Sequence, residues 1–521
     1  MRKLSLLLPF AGLLLAAGAA LAGALEDAIA HRDAGRYEAA LPLFEKAVQE
    51  APESADAALG LAQTLNGLGR YADAAQAATA GLAANPEHAG LLVERARAHL
   101  LIADAGDAAG EDSALIMAAV AEADFSLKAA LKADPRSADA RVLSAKVYRY
   151  QGGGASDQSR DLLLEVVADF PDHFDAHWDL GRHHLQRGAM VQKDPAAAGP
   201  HWRDAQKHFA RCVAIDPKSG AAHWELANAL AWQGRTECWK SYAAAAELLP
   251  GNERVLNQLY RWSGGDKAAR VAAFQKVAAA RPGEPPVAIF LAWAQHEAGD
   301  TKAGVATLEA AAKASPGSPS VPLHRGHLLL ADGDAAGAVE AYEKSIAAAE
   351  TYVKSLYDDV NVKATSGTSP FSLAQREKLW TALWVKWPDA ADAPNNAGLH
   401  YRDAVKDYAK SHTWYERAAA AAPDSPQIQN DTALILDQYL GRHAEAEPYY
   451  RRAIAAGGEQ GRNWRGGDIE DTGYRDALNN FGRMLANTKR WADLRRFCEE
   501  DLPEGHPARA GWLAAAERGA R

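Results

Sequence analysis

Cysteine is scarce in this chain: Cys212, Cys238 and Cys498 are the only three in 521 residues. So few, so widely spaced, exclude a disulfide framework, although one Cys212–Cys238 bridge stays open in an oxidising compartment. No CxxC pair and no CxxCH sequence occurs, so thiolate metal sites of that type and covalent haem have no ligands. HExxH, GxSxG and Walker-type sequences are also absent, which removes the commonest signatures of metalloproteases, serine hydrolases and phosphate-binding loops. Aromatic residues are 8 % of the chain and β-branched residues are sparse, so strand-forming material is thin. Beyond residue 22 no apolar run approaches the length of a membrane span. Basic residues are outnumbered, 57 Lys and Arg against 67 Asp and Glu, for a net charge of −10. A polyanion is a poor partner for such a surface, and nucleic acid is set aside as a ligand.

What is present points to helices. Apolar residues make up 48 % of the chain, and much of that fraction is alanine, the best intrinsic helix former and small enough for close helix contacts. The length is too great for one compact core and suits several domains or one long array.

The first 22 residues read as a secretory signal peptide. Arg2 and Lys3 form a basic head, an apolar stretch follows from Leu4 to Leu15, and Ala20-Leu21-Ala22 supplies small residues for cleavage before Gly23. The alternative, an uncleaved membrane anchor, meets the objection that the run is short for a span. A lipoprotein is disfavoured because Ala24 stands where the lipid-bearing cysteine belongs. Removing residues 1–22 takes away Arg2 and Lys3 and no acid, so the charge becomes −12.

Internal repetition is the main signal. Gly35-Arg36-Tyr37 and Gly69-Arg70-Tyr71 are offset by 34, and the same step carries Ala40 onto Ala74 and Pro52 onto Pro86. Each block reads helix, glycine turn, helix, proline stop. Glycine suits the turn because it reaches positive φ freely, and proline ends the second helix. Ala40 and Ala47 mark a close-packed face, with Tyr37 and Phe44 filling the hollow beside them. Pro135, Pro171, Pro217, Pro250, Pro282 and Pro316 close further copies, and Gly299 and Gly333 are again 34 apart. Insertions stretch the array near residues 103–117 and 189–200. Residues 346–393 break the register and are expected to be an irregular helical insertion, with Trp380, Trp384 and Trp387 at helical spacing. Residues 394–521 return to divergent repeats.

The sequence Tyr37, Ala40, Phe44, Ala47, Pro52 resembles the second half of a tetratricopeptide repeat, and the resemblance extends over most of residues 23–345 and 394–521. It implies an all-α fold, a right-handed superhelical solenoid of helix-turn-helix repeats with a concave groove. In that family the first helix of each hairpin lines the groove. By repeat position, Trp178, Arg182, Trp224, Asn228, Trp232, Trp293 and His296 are then groove candidates, the tryptophans offering flat apolar faces with one donor each. Packing between hairpins is the competing use of such tryptophans.

Asn395/Asn396, Asn430 and Asn479/Asn480 recur at one place in three later hairpins. They look like the asparagine ladder in the repeat superhelix of O-linked N-acetylglucosamine transferase, which implies hydrogen bonds to a peptide backbone. The alternative is that they cap or cross-link helices. No glycosyltransferase region is visible. Leu25, Ile29, Leu59 and Gln63 occupy positions where a carboxylate clamp needs Lys and Asn, so that subset of the family is disfavoured.

The expected function is a non-catalytic scaffold of the bacterial envelope, periplasmic or secreted, binding other proteins or peptide segments without cofactor or metal. High Ala, Gly and Arg usage fits a GC-rich bacterial genome. The alternative is an enzyme or metal protein. Its site would lie in residues 173–239, where His177, His184 and Asp179 would share a helix face, or in the C-terminal third. Cys212 falls at a small-residue packing position and reads as core, not nucleophile.

Overall fold

The computed structural model describes residues 23–152, 155–249, 251–457 and 472–519. The expected signal peptide, Gly153 and Gly154, the repeat-closing Pro250 and the loop carrying Gly466 and Gly467 lie outside the described residues. Two compact units divide the chain, Met1–Leu249 and Pro250–Arg521. Among the described residues all regular structure is helical, in successive helix-turn-helix pairs.

The pairing follows from the small residues. Gly35 and Gly69 turn the chain with φ of 70° and 75°, a region costly for other residues. Helix Tyr37–Glu50 buries Ala40, Phe44 and Ala47, the positions expected from the repeat. Helical glycines then let first and second helices close on an aromatic ring. A β-carbon on Gly326 would lie 2.4 Å from Tyr342, and one on Gly398 would lie 2.9 Å from Tyr415. Both tyrosines are fully buried as a result.

The two insertions lengthen hairpin arms. Helices Ala89–Ala109 and Ser113–Ala133 each have 21 residues, where Ala55–Gly67 and Tyr71–Ala84 have 13 and 14. Phe174–Met190 and Pro195–Ile215 have 17 and 21. At about 1.5 Å per residue the longest arms extend roughly 10 Å past the ordinary ones.

Residues 346–393 contain helices Lys354–Thr365 and Leu373–Lys386. Trp380 is fully buried between neighbouring hairpins, and Arg417 lies over Trp384 at 4.1 Å. Tyr357 ties the segment to the next hairpin: its hydroxyl donates to the Ala390 carbonyl at 3.2 Å and accepts from the Ala393 amide at 2.7 Å. Beyond it, helices Asp392–His400 and Pro426–Leu434 each run into a π-helical turn, Tyr401–Val405 and Ile435–Tyr439.

Candidate binding grooves

In the first unit, three first helices line one cleft of about 680 Å³: Ala89–Ala109, Ala138–Gln151 and Phe174–Met190. Each starts on a side-chain cap, His88, Ser137 and His173 accepting from the amides of Leu91, Ala140 and Ala176. Trp178 and Arg182, one turn apart, both face this cleft. The Trp178 ring is held against Phe174 (6.1 Å) and edge-on to Phe209 (5.5 Å), leaving it half-buried. Arg182 is exposed.

The walls carry both signs of charge. Lys146 pairs with Asp104, whose other oxygen accepts from the Tyr150 hydroxyl at 2.5 Å. Arg149 donates to Asp179 at 3.2 Å. Burial pushes the Asp179 carboxyl above its ordinary range, against the pull of Arg149, Lys146 and Arg182. Asp104 and Asp107 come from the lengthened arm, so the first insertion builds one end of the cleft. Sequence reading passed over Asp104, Lys146 and Tyr150. The spacing of Lys146 and Tyr150 along one helix face was the available signal.

Trp224, Asn228 and Trp232 do not line this cleft. Trp224 packs edge-on to Tyr242 at 5.4 Å. Asn228 accepts from the Tyr242 hydroxyl at 2.8 Å and donates to Glu225 at 3.2 Å, so its amide is engaged inside its own hairpin. Trp232 is 48 % exposed and stacks on Trp202 at 5.5 Å.

In the second unit, helices Glu253–Trp262, Pro285–Glu297 and Ser320–Ala331 line a groove of about 510 Å³. Trp293 lies in it beside Tyr260 and Phe290, two rings the sequence reading did not single out. The expectation of a free indole donor needs correction here, because Trp293 Nε1–H donates to His324 Nδ1 at 3.1 Å. His296 packs edge-on to Trp293 and hydrogen-bonds Thr301 at 2.9 Å without lining the groove.

The asparagines divide. Asn480 Nδ2 donates to Asn430 Oδ1 at 3.0 Å, with both side chains buried, so these amides cross-link helices Pro426–Leu434 and Thr472–Asn487 and do not face a ligand. Asn479 donates to the Arg475 carbonyl of its own helix. Asn395 and Asn396 are half-buried, and the Asn395 side-chain oxygen has no hydrogen-bond partner.

The histidine-rich region is arranged differently from the expected shared face. His177 Nδ1 meets His208 Nδ1 at 2.9 Å, and His184 Nδ1 meets His201 Nδ1 at 3.3 Å, while Asp179 turns to Arg149. Among the described residues no group of three or more His, Cys, Asp or Glu is placed to hold a metal ion. All three cysteines are free and buried, so the Cys212–Cys238 bridge is not formed. Burial pushes the Cys212 thiol up to about 12, far from a thiolate nucleophile.

Comparison with known proteins follows the same lines. One tetratricopeptide-repeat family model matches residues 31–92, and a second matches residues 144–192, 291–353 and 404–461. No curated protein matches the sequence. Among solved structures, a thermophilic tetratricopeptide-repeat protein of Thermus thermophilus is 24 % identical over 40 % of this chain and 99 % of its own, with a TM-score of 0.35. The tetratricopeptide-repeat protein YrrB is 9 % identical, covering 38 % of this chain and 97 % of its own, at a TM-score of 0.26. Yeast Tom70 is 14 % identical over 96 % of both chains, at a TM-score of 0.26. With family models matched on both sides of residue 250 and paired helices among its described residues, the chain carries tetratricopeptide repeats in residues 31–92, 144–192, 291–353 and 404–461.

Proposed function

We propose that this protein is a non-catalytic scaffold of the bacterial envelope that holds segments of other proteins against its first helices. Tetratricopeptide-repeat proteins typically serve as interaction scaffolds and bind proteins or peptides. The observation that carries the reading is the cleft of about 680 Å³ in the first unit, lined by three successive first helices, the third of which turns Trp178 and Arg182 into it. A half-buried, rigidly held tryptophan beside an exposed guanidinium is a strong composition for a peptide anchor. The basic head, apolar run and small residues before Gly23 support delivery across the inner membrane, and no described helix is long and apolar enough to cross one.

A photo-crosslinking amino acid at position 182 in the native host tests the binding. Crosslinked peptides should map to short defined segments and disappear with Trp178→Ala. Crosslinks scattered over abundant proteins, or unchanged in that variant, would end the reading. Terminal sequencing of the fractionated protein checks the export separately. A chain starting at Gly23 outside the cytoplasm is expected, and a full-length cytoplasmic chain contradicts it.

A further inference from the structure

The groove of the second unit differs in chemistry from the cleft of the first. Its floor is aromatic: Tyr260 and Phe290 lie 5.7 Å apart, and Phe274 stacks under Phe290 at 5.7 Å with rings 10° from parallel. These contacts hold the rings in place before any ligand arrives. Trp293 completes the row, and because its indole N–H is spent on His324, it offers only its apolar face. His324 stays neutral, pushed down to about 4 by burial with His327 beside it.

The charges at this groove have one sign. Glu253 and Glu297 line it, and neither lysine nor arginine does. Glu297 is paired with Arg270, a buried residue that also lies over Tyr260 at 4.2 Å. Glu253 is exposed on the first turn of its helix, where no described cation pairs with it. The first-unit cleft, in contrast, sets Arg97, Lys146, Arg149 and Arg182 against four aspartates.

We infer that the second-unit groove selects a peptide segment in which a large apolar side chain stands next to lysine or arginine. The apolar chain would lie on Trp293 and Phe290, with the cation toward the Glu253 carboxylate, where opposite charge attracts it. The inference rests on the proposed reading of first-helix faces as binding surfaces and narrows the partner class. A second copy of this chain is a poor occupant, because a net charge of −10 on each copy opposes their approach.

The test uses the full mature chain and two fluorescein-labelled peptides, Gly-Lys-Leu-Phe-Lys-Gly and its counterpart with glutamate in place of lysine. Fluorescence anisotropy should show the lysine peptide binding about tenfold tighter or better, with affinity falling as salt rises. Trp293→Ala should weaken it about tenfold. Glu253→Lys, an exposed change that leaves the rings untouched, should abolish the preference for lysine even if Trp293→Ala proves unstable. Glu87→Lys, an exposed change in the first unit outside both grooves, should leave the preference intact.

Equal affinity for the two peptides, no binding of either, or self-association of the chain through this face would each overturn the inference. Loss of binding in Trp178→Ala with none in Trp293→Ala would do the same. Should the peptides fail while position 182 still captures defined segments, the scaffold reading stands and only the second groove is misassigned. Should both fail, the scaffold reading falls as well.

Discussion

Asn480 and Asn430 share a hydrogen bond of 3.0 Å between hairpins 50 residues apart in sequence, at exposures of 7 % and 2 %. Truncating one amide strands the other in a dry site. Asn480→Ala is therefore expected to destabilise the second unit by about 1–3 kcal/mol in urea denaturation. Replacing both by leucine should cost less than the two single changes together, since neither amide is then left facing an absent partner, although Gln438 and Arg483 lose the Asn480 oxygen as acceptor. Strict additivity would show that the bond couples nothing.

That pair also marks where sequence reading stopped. The repeat was legible because stacking needs the same small residue at the same place each time, as Gly35 and Gly69 or Ala40 and Ala74 illustrate. The recurrence of Asn430 and Asn480 was equally legible, but a ladder facing a ligand and a bond between adjacent hairpins demand the same spacing. Only the direction of the side chains separates them, and packing sets that. Likewise the alanine-rich stretch 103–117 signalled an insertion, yet its strong helix propensity extended both arms and carried Asp104 to Lys146 and Tyr150, 42 and 46 residues away. Trp293 was found by position, while its bond to His324 crosses to the next hairpin and leaves no local mark.

Arg376 is buried without a carboxylate and is held by four backbone carbonyls, those of Ala364, Ser366, Ser369 and Phe371, at 2.7 to 3.2 Å. It closes the turn between helices Lys354–Thr365 and Leu373–Lys386. Burial lowers its pKa from the usual arginine value. Arg376→Ala should cost roughly 3 kcal/mol, since several buried acceptors lose their donors together. Arg376→Lys should recover little, because one ammonium cannot match the planar fork. Full stability of the lysine variant would show that charge alone matters.

The thiols give a direct check on packing. Burial pushes Cys212 up to about 12, and Cys238 and Cys498 up to about 11. A thiol reagent at pH 8 should leave the native chain unlabelled and react with three groups after denaturation. One reactive group in the denatured, unreduced chain would instead reveal a disulfide and contradict the structure.

Acid should weaken the first unit through its paired histidines. His177 Nε2–H donates to the Pro171 carbonyl at 2.9 Å, so in the neutral ring Nδ1 is an acceptor, and His208 Nδ1–H donates to it. His208 is 6 % exposed, and burial, reinforced by His177, His184 and Lys207, pushes it down to about 3. His183, next to His184, Arg187 and Arg160 with Asp157 opposing, falls to about 4, again chiefly through burial. Unfolded, each takes its proton near pH 6.5. The unfolded chain therefore binds more protons below that pH, and stability rises with pH across the window from the folded values up to about 6.5. His173 works the other way: its hydrogen bond to Asp139 raises it, so its contribution is present at low pH and lost as pH rises through the raised value. The depressed group outweighs it, since His177 and His184 are lowered as well. Urea midpoints should fall from pH 7 to pH 5, each depressed histidine adding at most about 1.4 kcal/mol per pH unit. His208→Gln keeps a donor and an acceptor but does not titrate, so it should flatten that slope. An unchanged slope in the variant would place the acid sensitivity outside this pair.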